Sequence, residues 1–458
     1  MITFSGYEKV IEKVYDHKQE HVFEYWEQLL DVERKELLDD LAEIDFDLLK
    51  QIYSHTHDGR ITEFQPAPYI TLPSTDAERK KFMQAHEAGE AHIREGKVAA
   101  FLVAGGQGSR LGYDGPKGKF PVGPVSGKTL FHFHAEKIAS SQDKYGVVIP
   151  FFIMTSRDNH QETETFFREQ DYFGLSPVNV HFFTQNMIPS LDLKGKLILS
   201  ETNRIFMNPD GHGGSLTALR TSGALNKMQQ NGIETVSYFQ VDNPLVKIID
   251  PLFIGFHVLE SSEISSKALK KASANEKTGV FVAFGSGKTG IVEYSDLTEE
   301  QSRMKGADGE LIFSAANPAI HLFSLKFIES ITGEQGPSLP YHTAKKKIPA
   351  VVNGAPQEIS GYKYEKFVFD ALPLSLKNVI LETPREEEFA PVKNAAGTDS
   401  VETAHELMEK LYRNWIISRG IKIPPSVRVI EISPRFALCA EDIPADLEIP
   451  SMEKVYLE

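Results

Sequence analysis

LVAGGQGSRLGYDGPKGKFPVG, residues 102–123, runs from an apolar stretch straight into a glycine-rich loop. The run Val98-Ala99-Ala100-Phe101-Leu102-Val103 has the texture of a strand buried on both faces of a parallel sheet. It stops at Ala104-Gly105-Gly106, with Gly108 close behind. Glycines let a backbone approach a ligand closely and aim several N–H groups at one anion. Arg110 and Lys117 follow, and they add charge-assisted hydrogen bonds to a polyphosphate. Strand, glycines and cations together predict a phosphate site. A dinucleotide fingerprint G-x-G-x-x-G is absent, because position 111 is Leu. That excludes the oxidoreductase reading. A P-loop fails as well: its only candidate ending, Gly287-Lys288-Thr289, has Val282 where the first glycine belongs, and Gly285–Gly290 reads as a hairpin turn.

Outward from this loop, further strands are predicted at Gly146–Met154, Asn179–Phe183 and Thr235–Val241. Helices are predicted between them at Thr129–Ser140 and Ser215–Gln230. Alternation of this kind argues for a parallel α/β sheet. Upstream, residues 7 to about 60 read as helices, and Ser74-Thr75 cap another from Asp76 to Gly96. Beyond residue 250 the pattern is mixed, with a hairpin over 281–294. The chain turns polar from about 380, carries a helix near Thr403–Ser418 and ends in a short strand-rich tail. The predicted organisation is a helical region over 1–95, a catalytic domain over 96–380 and a small C-terminal domain over 381–458.

The chain has 458 residues, 64 of them acidic and 49 basic, for a net charge of −15. An acidic chain is a poor partner for a nucleic-acid backbone, yet a local cluster of cations can still hold a phosphorylated small molecule. The lone cysteine, Cys439, permits neither an internal disulfide nor a Cys-rich zinc site. It reads as a small apolar residue. No apolar run approaches the roughly 18–20 residues of a membrane-spanning helix. The charged N-terminus does not read as a signal peptide. The expectation is a cytoplasmic protein, with no membrane and no nucleic acid among its partners. His132 and His134, two apart on a predicted helix, point in nearly opposite directions and do not read as a metal pair. Lys345–Lys347 reads as a solvated face.

The loop A-G-G-x-G-S-R-L-G followed by P-K-G resembles the signature of UDP-sugar pyrophosphorylases, with Ser109 in place of the usual Thr. The resemblance continues in order through MTS (154–156), YFGL (172–175), FFTQNMIPS (182–190), NPDGHGGS (208–215) and VDNPLVK (241–247). VEYSD (292–296), EKFVFD (365–370) and PREEEFAPVKN (384–394) complete it. It spans roughly residues 70–415 and is nearest the eukaryote-type UDP-N-acetylglucosamine pyrophosphorylases. It implies a doubly wound, Rossmann-like (GT-A-like) nucleotidyltransferase domain. It also implies a reaction in which UTP and a hexose 1-phosphate give a UDP-sugar and pyrophosphate, with Mg2+ as the metal.

The same resemblance assigns roles. Gly105, Gly106 and Gly108 cradle the nucleotide phosphates, and Arg110, Lys117 and Lys393 neutralise them. Gln185 reads the uracil edge, since an amide offers donor and acceptor together. Gly211 lets the backbone close on the base. Asp242 follows the apolar strand Tyr238–Val241, so it stands at a strand's carboxyl end, where ligands bind in open α/β sheets. As a hard oxygen ligand it suits magnesium. Gly279, Glu293 and Asn317 face the hexose. His212 stands where the N-acetylglucosamine enzymes usually have Asn, whereas UDP-glucose and broad-range UDP-sugar enzymes often carry Gly-His-Gly. N-acetylglucosamine 1-phosphate is the favoured acceptor, with glucose 1-phosphate or a broad range as the alternative. A catalytically silent sugar-nucleotide sensor is the non-enzyme reading. Retention of Arg110, Lys117, Asp242 and Lys393 together argues against it.

Overall fold

The computed structural model describes residues 1–54, 63–333 and 336–458. The chain divides into two compact units, each built from three stretches. One comprises Met1–Thr62, Gln185–Ser215 and Leu339–Val368. The other comprises Glu63–Thr184, Leu216–Ser338 and Phe369–Glu458. The regions 1–95 and 96–380 are therefore each divided between the two, and 381–458 lies within the larger one.

The larger unit holds an eleven-stranded sheet. Its strands, numbered along the chain, are β1 (Phe64–Pro66), β2 (Val98–Val103), β3 (Phe151–Thr155), β4 (Val180–Thr184) and β5 (Thr235–Gln240). Then come β6 (Ile264–Lys270), β7 (Val280–Phe284), β8 (Thr289–Val292), β9 (Ala315–Ala316), β10 (His321–Ser324) and β11 (Asn378–Glu382). The spatial order is β1-β7-β9-β6-β10-β5-β2-β3-β4, with β8 on β7 and β11 on β6. Strands β5, β2, β3 and β4 pair in parallel, as the alternation of strands and helices predicts. Beyond β5 the sheet is mostly antiparallel, and of these pairs β7 and β8 are joined by a short hairpin connection.

Several boundaries shift for local reasons. The strand expected from Gly146 begins at Phe151, because Gly146 adopts φ +66° and ends the helix Leu130–Tyr145. The helix expected over 215–230 is two, Gly214–Thr221 and Ala224–Gln230, broken at Gly223 with φ +79°. Residues 381–458 supply the helix Val401–Ser418 and the parallel pair Val429–Ile432 with Lys454–Leu457. Met408, Ile416 and Ile430 from this segment join the same buried apolar cluster as Ala100, Leu102 and Phe239 of the sheet.

In the smaller unit, the helices Glu8–Asp16, Asp31–Ala42 and Phe46–Ser54 bury Ile11, Val14, Leu37, Leu38 and Leu41 against Ile188, Leu199, Ile205 and Tyr364. The predicted helical stretch beyond residue 54 lies outside the described residues. The long strands His342–Val352 and Ala355–Glu365 form a hairpin. Its turn is Asn353-Gly354, both at positive φ, the geometry that two-residue hairpin loops require. Lys345–Lys347 lie exposed on this hairpin.

Helix Asp76–Arg94 packs on helix Pro251–Leu259 through Gly89 and Gly255. A Cβ on Gly255 would lie 1.6 Å from the Ala85 carbonyl oxygen, and one on Gly89 would lie 1.8 Å from that of Pro251. Overpacking against backbone costs about 1–3 kcal/mol or more. Gly255→Ala is therefore expected to lower unfolding stability by at least ~2 kcal/mol, read as an earlier urea midpoint. An unchanged midpoint would refute this packing.

Candidate active site

At the end of β2 the chain is pinned on both sides. Ala104 N–H donates to Met154 O at 2.8 Å, and Val241 N–H donates to Val103 O at 3.1 Å. Asn159, fully buried, donates from Nδ2 to the carbonyls of Ala104 and Gly106. The loop then doubles back. Gly108 N–H donates to Gly115 O, and Lys117 N–H donates to Gly106 O at 3.0 Å. A Cβ on Gly106 would sit 4.0 Å from Lys117 Cε, and one on Gly108 would press on Tyr113 at 2.9 Å. The fold-back sets Lys117 beneath the glycines. The N–H groups of Gly105 and Gly106 have no acceptor among the described residues, and Arg110 is exposed without an ion pair there. Donors and cation are thus left facing outward, as a phosphate site needs.

Asp242 follows β5 and is buried. Its Oδ2 lies 3.8 Å from Lys117 Nζ. His134 helps to fix this strand end by a 3.0 Å contact from Nε2 to Val241 O. Asn243 ties the same turn to the block 388–393: its Nδ2 donates to Glu388 O at 2.7 Å, and its Oδ1 accepts from Ala390 N–H at 3.0 Å. Val392 N–H then donates to Asp242 O at 2.8 Å. Lys393 is the next residue, so its backbone is anchored beside Asp242. Its Nζ is 3.9 Å from Asp399 Oδ2 and 5.8 Å from the Phe389 ring centroid. Glycine loop, Lys117, Asp242 and the Lys393 segment therefore come together, although Lys393 is 151 positions from Asp242 in the sequence.

Sequence reasoning missed what holds this segment. Glu388 and Lys267 are both fully buried, and Lys267 Nζ donates to both Glu388 carboxylate oxygens and to Asp250 Oδ2. Thr383 Oγ1 and Lys247 N–H also donate to Glu388. The run Arg385-Glu386-Glu387-Glu388 lies in the stretch that the sequence marks only as polar. The available signal was Lys267, a lysine in the middle of the buried stretch Ile264–Leu269 of strand β6.

Among the described residues no group of three or more His, Cys, Asp or Glu is arranged to hold a metal ion. One buried carboxylate, Asp242, fits magnesium carried on substrate phosphates, since Mg2+ typically takes one or two protein carboxylates and completes its shell with phosphates and water.

The smaller unit gathers Gln185, Gly211 and His212. Strands Met187–Pro189 and Met207–Pro209 pair antiparallel, and Asp210 N–H donates to Asn186 O, which brings Gln185 and Gly211 to one end of the ribbon. Gln185 is buried. Gly211 has φ +84°, and a Cβ there would meet Lys366 O at 2.5 Å, so only glycine fits. His212 Nδ1 accepts from Val368 N–H at 3.1 Å, and the ring stacks on Phe367, which stacks on His342. Burial pushes the His212 pKa down to about 4, and His342 adds to the effect. The ring is neutral at pH 7 with its proton on Nε2. Asp210 is a second residue that sequence reasoning passed over. Burial raises it to about 7, and its Oδ1 has no hydrogen-bond partner among the described residues.

Gly279, Glu293 and Asn317 form a third group, in the larger unit. Asn317 N–H donates to Gly279 O at 3.0 Å, and a Cβ on Gly279 would lie 3.0 Å from Glu293 Oε1. They stand where β7 and β9 meet, separated in the sheet order from β5 and β2 by β6 and β10.

The histidines set an acid limit. Burial holds His134 and His257 at about 3, as it holds His212 at about 4. An unfolded histidine titrates near 6.5. From about pH 6.5 downward the unfolded chain therefore binds protons that the folded chain refuses, and stability falls as pH drops. The urea midpoint is expected to fall between pH 7 and pH 5, and ring NMR should show His212 neutral with an Nε2 proton at pH 7. A charged His212 at pH 6 would contradict this geometry.

A family model described as UTP–glucose-1-phosphate uridylyltransferase matches residues 48–446. UDP-N-acetylglucosamine diphosphorylase 2 of Arabidopsis thaliana is 34% identical over 466 residues, covering 97% of this chain and 92% of that protein. UDP-N-acetylglucosamine pyrophosphorylase of Saccharomyces cerevisiae is 34% identical over 451 residues, covering 93% and 94%. The crystal structure of the uridine diphosphate N-acetylglucosamine pyrophosphorylase from Trypanosoma brucei superposes with a TM-score of 0.85 at 27% identity, covering 100% of this chain and 99% of that one. These matches agree with the resemblance carried by the ordered sequence blocks and with the mixed α/β fold. The chain belongs to the UTP–glucose-1-phosphate uridylyltransferase family.

Proposed function

We propose that this protein transfers the uridylyl group of UTP to N-acetylglucosamine 1-phosphate, forming a UDP-sugar and releasing pyrophosphate. The observation that carries this reading is the junction of the glycine loop, Lys117, Asp242 and the Lys393 segment. It joins backbone donors, cations and one hard carboxylate, which is the inventory that phosphoryl chemistry needs. The names of the relatives at 34% identity favour the acetylated sugar.

In the reaction a phosphate oxygen of the sugar phosphate attacks the α-phosphorus of UTP. That P–O bond forms as the bond to the bridging oxygen breaks, and pyrophosphate leaves with the electron pair. No covalent intermediate on the protein is needed, so positioning and charge neutralisation supply the catalysis. Gly105, Gly106 and Gly108 hold the triphosphate by backbone N–H groups. Arg110 and Lys117 offset its charge, and Lys393 does so on the incoming phosphate. Asp242 would hold magnesium, which when bound screens phosphate oxygens and orients them. By the family resemblance, Gln185 and Gly211 of the smaller unit are assigned to the uracil and His212 to the sugar, and Gly279, Glu293 and Asn317 of the larger unit are assigned to the sugar. Among the described residues no helix is long and apolar enough to cross a membrane. A cytoplasmic setting accords with the single free cysteine.

Glucose 1-phosphate is the second reading, favoured by His212. A panel of sugar 1-phosphates with UTP and Mg2+, read by pyrophosphate release, separates the two. Turnover with the acetylated sugar is expected to exceed that with the plain one by about tenfold or more, a pocket-level discrimination. The reverse ratio would favour glucose. Lys117→Ala is expected to cut the rate by about 100-fold or more while the protein stays folded, the scale seen when a transition-state charge partner is lost. EDTA is expected to abolish turnover and added Mg2+ to restore it. Full activity without metal would remove Asp242 from its role.

A further inference from the structure

Five residues before Lys393 stands a carboxylate that meets no solvent. Glu388 has zero exposure, as does its partner Lys267. Each bond that Glu388 accepts comes from a different direction: Lys267 Nζ from strand β6, Thr383 Oγ1 from just after strand β11, and Lys247 N–H from the stretch that follows Asp242. An apolar side chain could fill the same space, and buried ion pairs are often no more stable than such a replacement. What the directional bonds add is a fixed rotation and height for the segment that follows.

That segment transmits the constraint. Ala390 and Val392 are fully buried, Pro391 lies between them, and Asn243 grips the backbone at Glu388 and Ala390. Val392 is bonded to Asp242 itself. The Lys393 side chain, by contrast, is 41% exposed, and its nearest carboxylate is 3.9 Å away. Its aim depends on the backbone that carries it. We propose that Glu388, held by Lys267, is a positioning residue that sets Lys393 against the phosphates beside Asp242. This rests on the uridylyltransferase reading above.

The test is a double-mutant cycle on the full chain with UTP, N-acetylglucosamine 1-phosphate and Mg2+: wild type, Glu388→Gln, Lys393→Ala and the double variant. Folding is checked by circular dichroism and thermal melting. Glu388→Gln is expected to lower kcat by about tenfold or more while moving either KM less than about threefold, the signature of an interaction realised in the transition state. In the Lys393→Ala background the same change should cost less than about twofold, because residues acting as one unit are not additive. A merely structural Glu388 would give the same fold-loss in both backgrounds, and that result overturns the proposal. So does a folded Glu388→Gln protein with wild-type kcat. Should Glu388→Gln fail to fold, Thr383→Val removes one bond to the same carboxylate. It is expected to lower kcat only when Lys393 is present, and equal losses with and without Lys393 again overturn the proposal. A wild-type protein that releases no pyrophosphate refutes the underlying reading instead, and the two failures are thereby told apart.

Discussion

No solvent-exposed surface remains on the ammonium of Lys267 or the carboxylate of Glu388, and the order of the larger unit around Asp242 and the Lys393 segment depends on that pair. Removing one partner of a buried ion pair costs about 3–5 kcal/mol, because the other charge is left stranded. The pair therefore forms in one way or not at all. It joins three elements. Lys267 belongs to the sheet and Glu388 to the strap leading to Lys393. The third partner, Asp250, caps helix Pro251–Leu259 by accepting from Leu252 N–H. That helix is itself locked by the Gly89 and Gly255 contact.

The site is electrostatically prepared before any ligand arrives. Lys117 and Asp242, both mostly buried, stand 3.8 Å apart and offset one another. Both charges are held in place by the fold, and fixed, pre-aimed charges are what electrostatic catalysis requires. The protein's net charge of −15 does not prevent a local pair such as Lys117 and Asp242 from setting the charge of its own surroundings. Lys119, close in sequence to Lys117, is committed to Glu162.

His212 shows how one side chain sets the chemistry of its surroundings. Its Nδ1 is held by the Val368 amide, and burial keeps the ring neutral. An asparagine in that place would carry a carbonyl and an amide group together. A neutral imidazole stacked on Phe367 presents a ring edge with an N–H instead. Discrimination between hexoses rests on such differences of one donor or acceptor.

Local chemistry made much of this legible. The apolar run of β2, the glycines after it and the strand before Asp242 mark themselves, because burial and backbone freedom constrain neighbouring residues directly. The hairpin turn at Asn353-Gly354 carried a readable signal that went unread, and the antiparallel half of the sheet was concealed by short apolar runs that either strand direction accommodates. The sequence by itself determined the glycine-rich loop after β2 and the cationic side chains that follow it, since these depend on residues adjacent in the chain. Only the tertiary structure decided that an acidic run would bury Glu388, that Lys267 would meet it, and that Lys393 would stand beside Asp242. The desolvation cost of those charges is repaid by partners far away in sequence, and no local pattern records them.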